Sequence, residues 1–465
     1  MTPATVTPAG VSLHDALRAA RDTRALELGE GVLTRTPEVF RAQFGDRPAV
    51  LVADGHTYAA AGDAVLAAFK AAGHRTVAPY ILRTPDLYAE HRFVAELETM
   101  LRQNEAIPVA VGSGTINDLT KLAAHRVGRP YVCVATAASM DGYTAFGASI
   151  TLDGLKQTFM CPAPRAVVAD LNIVAAAPQP MNAWGYADLL AKFPAGADWL
   201  LADALGIEPI DARAWAIVQG RLRELTADPV GIPRRDPAAV ARLLEGLMLG
   251  GFAMQGAQSS RPASGAEHQF SHLWDMQHHT HQGRTPSHGF KVGLGTLAVT
   301  ALYERLLEQP LDRLDVTACC AAWPELETWV ERARRWLANP RLAEGAAREL
   351  RAKHVTPAQL RQQLDKLRAI WPALRDRLRA QLLPLDTLRR MLQAAGAPTE
   401  PEQIGISRAR LRQSYWQAFC IRRRFTVLDL AVRTGLLDEC LDHIFGPEGL
   451  WPIKPRSRAA AAFPP

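Results

Sequence analysis

Two rhythms divide the chain. From Arg47 onward, short apolar runs alternate with helical periodicity: "PAVLVAD" is a strand-length run closed by an acid, "TYAAAGDAVLAAFKAAGH" reads as helix, and "RTVAPYIL" reads as strand. The alternation continues through "VAELETMLRQNE" as helix, "IPVAVGSG" as strand and turn, "TINDLTKLAAHRVG" as helix and "PYVCVAT" as strand. This order predicts a parallel sheet with helices on both faces, its first strand closed by Asp54. After "RAVVAD", residues 165–170, nearly everything has helical periodicity punctuated by Pro and Gly. The pattern predicts an N-terminal arm and α/β domain over 1–164, an all-α domain over 165–452, and a disordered tail over 453–465. Within the second half, 325–424 is amphipathic and charge-laced, as surface helices on an inner bundle would be. No internal repeat is visible.

Composition narrows the class. At 465 residues, with 48% hydrophobic and 22% charged residues, the chain can bury a sizeable core in two domains. It has no uncharged apolar run of roughly 18 residues, and its start lacks the order of a secretory signal, so a cytoplasmic protein without a transmembrane segment is expected. The six cysteines form no C-x-x-C pair and fit small buried hydrophobes in a reducing compartment. A net charge of +6 would suit an anionic ligand, an acidic surface or nucleic acid, but is read first as an ordinary solvated surface. Its clearest cluster, Arg422-Arg423-Arg424, sits in a helical pattern without interleaved aromatics, and nucleic acid is not expected as a partner.

Candidate chemistry lies in five places. "VAVGSGTINDLTK" puts Gly112, Ser113 and Gly114 at a strand's carboxyl end and just before a helix, where backbone N–H groups can meet a pyrophosphate; the third glycine of G-x-G-x-x-G is missing. Asp54 ends another strand and can accept hydrogen bonds from a ribose, or serve as an ordinary N-cap. "VATAASMDGYTA" offers Thr136, Ser139 and Asp141 at a third strand end. In "SGAEHQFSHLWDMQHHTHQGRTPSHGF", His268 and His272 share a helix face and His288 opens the next helical run, whereas His278, His279 and His281 read as an exposed loop. Imidazoles suit zinc, nickel or ferrous iron, and two of them need a further ligand. Asp188, within "MNAWGYADLLAKF", would be costly to bury alone; a metal ion or a salt bridge to Lys192 would each relieve it.

Taken together, "GSGTINDLTK", "ATAASMDGYTA", "GYADLLAK", "GAEHQFSH", "SHGFKVGLGTL" and "RRFTVLDLAVRTGLL" resemble, in order, the blocks of the sn-glycerol-1-phosphate dehydrogenases, in their bacterial long form. That family lies within the iron-dependent alcohol dehydrogenase and dehydroquinate synthase superfamily. The resemblance spans roughly Arg47 to Leu437. It implies a Rossmann-like NAD(P)-binding domain followed by an all-α metal-binding domain, the dehydroquinate synthase-like fold, with the active site between them. It also implies Asp188, His268 and His288 as ligands of one divalent ion (zinc, nickel or iron), with His272 as a proton relay near nicotinamide and substrate. The cofactor would meet Asp54, Gly112, Ser113, Gly114, Thr115, Asp118, Thr136 and Ser139.

The resemblance further implies reversible reduction of dihydroxyacetone phosphate to sn-glycerol 1-phosphate by hydride transfer at C2. Asp141 would accept a hydrogen bond from a substrate hydroxyl, and Lys121, Lys192 and Lys291 would hold the phosphate. Asp54 favours NAD over NADP, although His56 and Arg75 keep NADP open. Two departures stand out: Lys192 occupies the place of a fourth ligand histidine found in some relatives, and the usual triple glycine is Gly-Ser-Gly. Dehydroquinate synthases use glutamate where this chain has Asp188, which counts against that lyase reaction. A glycerol or other polyol dehydrogenase, a dehydroquinate synthase-like lyase on the same fold and a non-catalytic binding protein are the alternatives. A homodimer is expected.

Overall fold

The structure, a computed structural model, describes residues 10–84 and 87–453. All but the first residue of the tail expected over 453–465 lies outside the described residues, as do residues 1–9. Six parallel strands form the sheet in the order β1-β8-β5-β4-β2-β3: β1 Ala25–Gly29, β2 Ala49–Asp54, β3 Tyr80–Leu82, β4 Ile107–Gly112, β5 Val132–Ala135 and β8 Ala166–Asp170. β4, β5 and β8 are buried throughout, as continuous apolar runs covered on both faces should be.

Two strand expectations change. Asp54 closes the second strand in chain order, because β1 precedes it. β1 carries Glu27 and is only half-buried along the sheet's edge, so it lacks the apolar run that marks the inner strands. The strand-like "RTVAPYIL" shrinks to β3, joined by one isolated bridge from Thr76 to Ala49. β8 pairs with β1 and β5, so the sheet runs past Pro164 to Asp170, and helix begins at Leu171. Between β5 and β8, β6 (Ala148–Leu152) and β7 (Leu155–Phe159) form an antiparallel hairpin. Its two-residue turn, Asp153-Gly154, has φ of 51° and 77°, the positive pair that a tight hairpin demands.

The rest is helical. Helix His288–Glu308 lies against Gln179–Leu190 and Ala266–Met276 and forms the centre of the bundle. Helix Pro237–Ala257 has the length and mean hydropathy, 1.2, to cross a membrane, but 72% of that stretch is buried in the bundle, as in a core helix. In 325–424, helix Pro357–Gln381 buries Leu360, Leu364, Leu367, Trp371, Leu374 and Leu378 along one stripe and packs on helix Lys192–Leu205.

Candidate active site

The carboxyl ends of β2, β4 and β5 are neighbours on one rim, and they bring Asp54, the Gly112–Gly114 turn and the Thr136–Asp141 loop together. The connection leaving β2 goes outward to β3, while that leaving β4 goes the opposite way to β5. The crevice between them is therefore a topological switch point, where open α/β sheets bind ligands. Ser113 is the N-cap of helix Gly114–Arg126 but makes no side-chain cap bond, so the first-turn N–H groups of Gly114 and Thr115 stay available to an anion. Asp54 is also a cap: its Oδ1 accepts the N–H groups of His56 and Thr57 at 2.8 Å each. Thr136 and Ser139 are buried in the adjoining loop. Asp118 departs from the cofactor set, since its Oδ2 accepts the Ser149 N–H at 3.1 Å and so ties this helix to β6.

Across from the rim, ligand atoms of Asp188, His268 and His288 lie within 4.8 Å of one another. Close helix contacts make this possible. A Cβ on Gly185 would meet the Ala138 carbonyl oxygen at 1.9 Å, and one on Gly289 would meet that of Trp184 at 2.0 Å. Only glycine lets the Asp188 helix approach both the strand-end loop and the His288 helix so closely. The Asp141 N–H donates to Asp188 Oδ2 at 3.1 Å, and Ser287 caps the helix that His288 opens.

The donor set fits a divalent cation. Glu267 Oε1 lies 2.7 Å from His268 Nδ1, which directs Nε2 towards Asp188 Oδ1, 3.5 Å away. Two ligands at about 2.1 Å from a tetrahedral ion would lie about 3.4 Å apart. Burial opposes charge on His268, but its bonds to Asp188 and Glu267 outweigh it and raise the ring's pKa. An ion seated between Nε2 and Oδ1 would displace that second proton. Burial, helped by Lys156, pushes His288 down to about 3, which keeps it neutral as a ligand must be. Burial alone would raise Asp188; Lys192 and His268 reverse this and hold it well below the usual carboxylate range.

The three lysines expected at a phosphate separate. Lys121 is buried and donates to the carbonyl oxygens of Gly142, Ala145 and Gly147 at 2.9–3.1 Å, which uses all three of its protons to brace a loop. Lys192, also buried, bridges Asp141 at 2.7 Å and Asp188 at 2.8 Å. The metal and salt-bridge explanations of Asp188 thus coexist, with one oxygen shared. Lys291 pairs with Asp275, which also holds Lys156 of β7 at 3.0 Å. Lys156 was missed because the hairpin was missed, although its Asp-Gly turn was legible.

Arg422 supplies a second unforeseen contact. The three arginines lie in the loop between helices Arg408–Cys420 and Val427–Arg433, not in a helix, and each has an internal partner. Arg422 Nη2 donates to His272 Nδ1 at 2.7 Å, Arg423 pairs with Glu349 at 2.8 Å, and Arg424 donates to the Ser264 carbonyl at 2.7 Å. Because guanidinium can only donate, the His272 proton resides on Nε2. Burial and then Arg422 hold that ring well below its ordinary pKa. Of the histidines expected in a loop, His279 is buried instead, held by the Ile404 carbonyl at 2.6 Å and Arg410 at 2.8 Å.

Residues 27–178 match the iron-containing alcohol dehydrogenase family. The fold is similar to that of a probable glycerol dehydrogenase from Sinorhizobium meliloti (TM-score 0.57, 17% identity, covering 90% of this chain and 97% of that one). It is also similar to glycerol dehydrogenase from Schizosaccharomyces pombe (TM-score 0.57, 14% identity, covering 94% and 92%). These likenesses show the fold, and the match over residues 27–178 points to the iron-containing alcohol dehydrogenase class. Within that class, the chain is 35% identical over 282 residues to the glycerol-1-phosphate dehydrogenase, NAD(P)+, of Halalkalibacterium halodurans, covering 60% of this chain and 70% of the relative. It is 32% identical over 281 residues to that of Methanosarcina mazei (60% and 76%) and 27% identical over 404 residues to that of Geobacillus stearothermophilus (86% and 90%). The chain belongs to the glycerol-1-phosphate dehydrogenase family.

Proposed function

We propose that this protein reduces dihydroxyacetone phosphate to sn-glycerol 1-phosphate with NADH or NADPH, reversibly, by hydride transfer to C2. The observation that carries the reading is the convergence of Asp188, His268 and His288 opposite the nucleotide-binding rim, in a chain of this family. Those three residues would hold a divalent ion, for which zinc, nickel and ferrous iron are all suited; when bound it supplies Lewis-acid polarisation of the C2 carbonyl. Asp141, fixed by Lys192, accepts a hydrogen bond from a substrate hydroxyl. His272 presents Nε2–H to the substrate oxygen as a hydrogen-bond donor. Charging its ring is opposed by burial and Arg422, so we assign the proton delivered to the product to water rather than to a relay through His272.

Lys156, Lys291 and Arg422 form the positive group that reads the phosphate, replacing Lys121 and Lys192 in that role. Asp275 holds the two lysines and Arg422 adjoins His272. The nucleotide lies along Asp54, Gly112, Ser113, Gly114, Thr115, Thr136 and Ser139. Asp54 would meet the ribose and favour NAD, while the exposed His56 and Arg75 leave room for NADP. A homodimer is part of the proposal and light scattering checks it.

The test is NADH oxidation by metal-reconstituted protein, with dihydroxyacetone phosphate compared against dihydroxyacetone. Turnover that requires the phosphate and yields the sn-1 enantiomer supports the reading. Equal turnover of both substrates moves it to a polyol dehydrogenase, and turnover of neither overturns it.

A further inference from the structure

We propose that Glu267 is a positioning residue that sets the tautomer and aim of His268 and thereby tunes the affinity of the metal pocket. This rests on the reading of Asp188, His268 and His288 as ligands. Glu267 is fully buried in the first turn of helix Ala266–Met276, one residue before His268. A glutamate at that place would ordinarily turn outward to water as a favourable first-turn charge. Here it folds back: Oε1 accepts the Gly265 N–H at 2.6 Å and meets His268 Nδ1 at 2.7 Å. An ionised carboxylate has no proton to give, so Nδ1 must carry one and the Nε2 lone pair is left for the ion.

The packing makes this arrangement costly to abandon. Glu267 Oε2 is buried without a hydrogen-bond partner among the described residues, and a Cβ on Gly265 would meet that oxygen at 2.8 Å and Asp198 Oδ2 at 2.5 Å. Two buried carboxylates thus crowd one glycine. Asp198 is fully engaged, accepting Tyr303 Oη–H at 2.6 Å and the N–H groups of Ala266 and Val427 at 2.8 Å each. Glu267 keeps one oxygen unsatisfied beside it. A side chain needed only to cap the helix would not require that burial, so the contact with His268 is what explains its position. The other ligands are held similarly: Ser271 Oγ lies 3.2 Å from His288 Nδ1, and Lys192 lies beside Asp188 Oδ1. Glu267 differs in being the only carboxylate among these three supports, and a carboxylate on the far ring nitrogen strengthens an imidazole as a donor.

The test is equilibrium competition for zinc between the full-length protein and a chromogenic chelator, together with the visible spectrum of the cobalt-substituted protein. Glu267→Gln keeps the shape and loses the charge, and is expected to weaken zinc about tenfold and shift the cobalt bands. Glu267→Ala is expected to weaken it about a hundredfold. Asp198→Asn, in the same buried cluster but not touching His268, is expected to lower Tm while leaving zinc affinity and the cobalt spectrum unchanged. Glu267→Gln with wild-type affinity and spectrum overturns the inference, as does an Asp198→Asn loss equal to that of Glu267→Gln, since general loosening would then explain both. Asp188→Ala separates the underlying reading: if it binds zinc like wild type, the pocket itself is misassigned and this inference falls with it.

Discussion

The rim of the sheet and the pocket of the helical half face one another but are built in opposite ways. The rim works with backbone: strand ends, a Gly-Ser-Gly turn and helix N–H groups left without a side-chain cap. The pocket works with side chains, nearly every one tied to another: Asp188 to Lys192 and Asp141, His268 to Glu267, His288 to Ser271, His272 to Arg422. A backbone site tolerates changes of side chain provided the glycines stay. A networked site does not, because each buried group removed leaves another without its partner.

The largest effect that would sharpen this contrast is expected from Asp188→Ala. Losing a Lewis acid worth several kcal/mol should cut turnover by about a thousandfold or more, measured with dihydroxyacetone phosphate. Next comes Lys156→Ala. A charge-assisted contact of about 1.5–3 kcal/mol should raise KM for dihydroxyacetone phosphate by about ten- to a hundredfold and leave any residual turnover of dihydroxyacetone unchanged. An equal effect on both substrates would mean that Lys156 only holds the hairpin in place. Gly185→Ala drives a methyl into the Ala138 carbonyl and should cost about 1–3 kcal/mol, read as a Tm lowered by several degrees.

The last effect, on stability rather than turnover, is a pH dependence. Burial, with the Glu267 charge adding to it, pushes Asp198 up to about 7. The folded chain therefore binds this proton more tightly than the unfolded chain, whose aspartates titrate near about 3.9. Its contribution is greatest below that value and is lost as pH rises towards about 7. Thermal melts between these limits should show that decline in wild type and a flatter profile in Asp198→Asn.

Legibility in the sequence followed the same division. The inner strands were readable because β4 and β5 are continuous apolar runs, and the glycine turn because it abuts a strand end. β1 escaped because an edge strand need not be apolar throughout, and the hairpin because its Asp-Gly signal lay between half-polar strands. The His268–His272 spacing and the helix opening at His288 were visible as local periodicity. What no local pattern carried was partnership: that Lys121 is consumed by three carbonyls, that Lys156 crosses from the sheet's domain to Asp275, and that Arg422 reaches His272 across 150 positions of chain. Those contacts are set by tertiary packing, and a basic residue near a motif has no sequence mark that says which acceptor it will meet.

The division of labour between rim and pocket is tested most directly by measuring NADH affinity and bound metal on the same Asp188→Ala preparation, by nucleotide fluorescence titration and metal analysis. The account expects NADH to bind as in wild type while the metal is lost. Loss of nucleotide binding in parallel with the metal, or metal retained at the wild-type level, would contradict it.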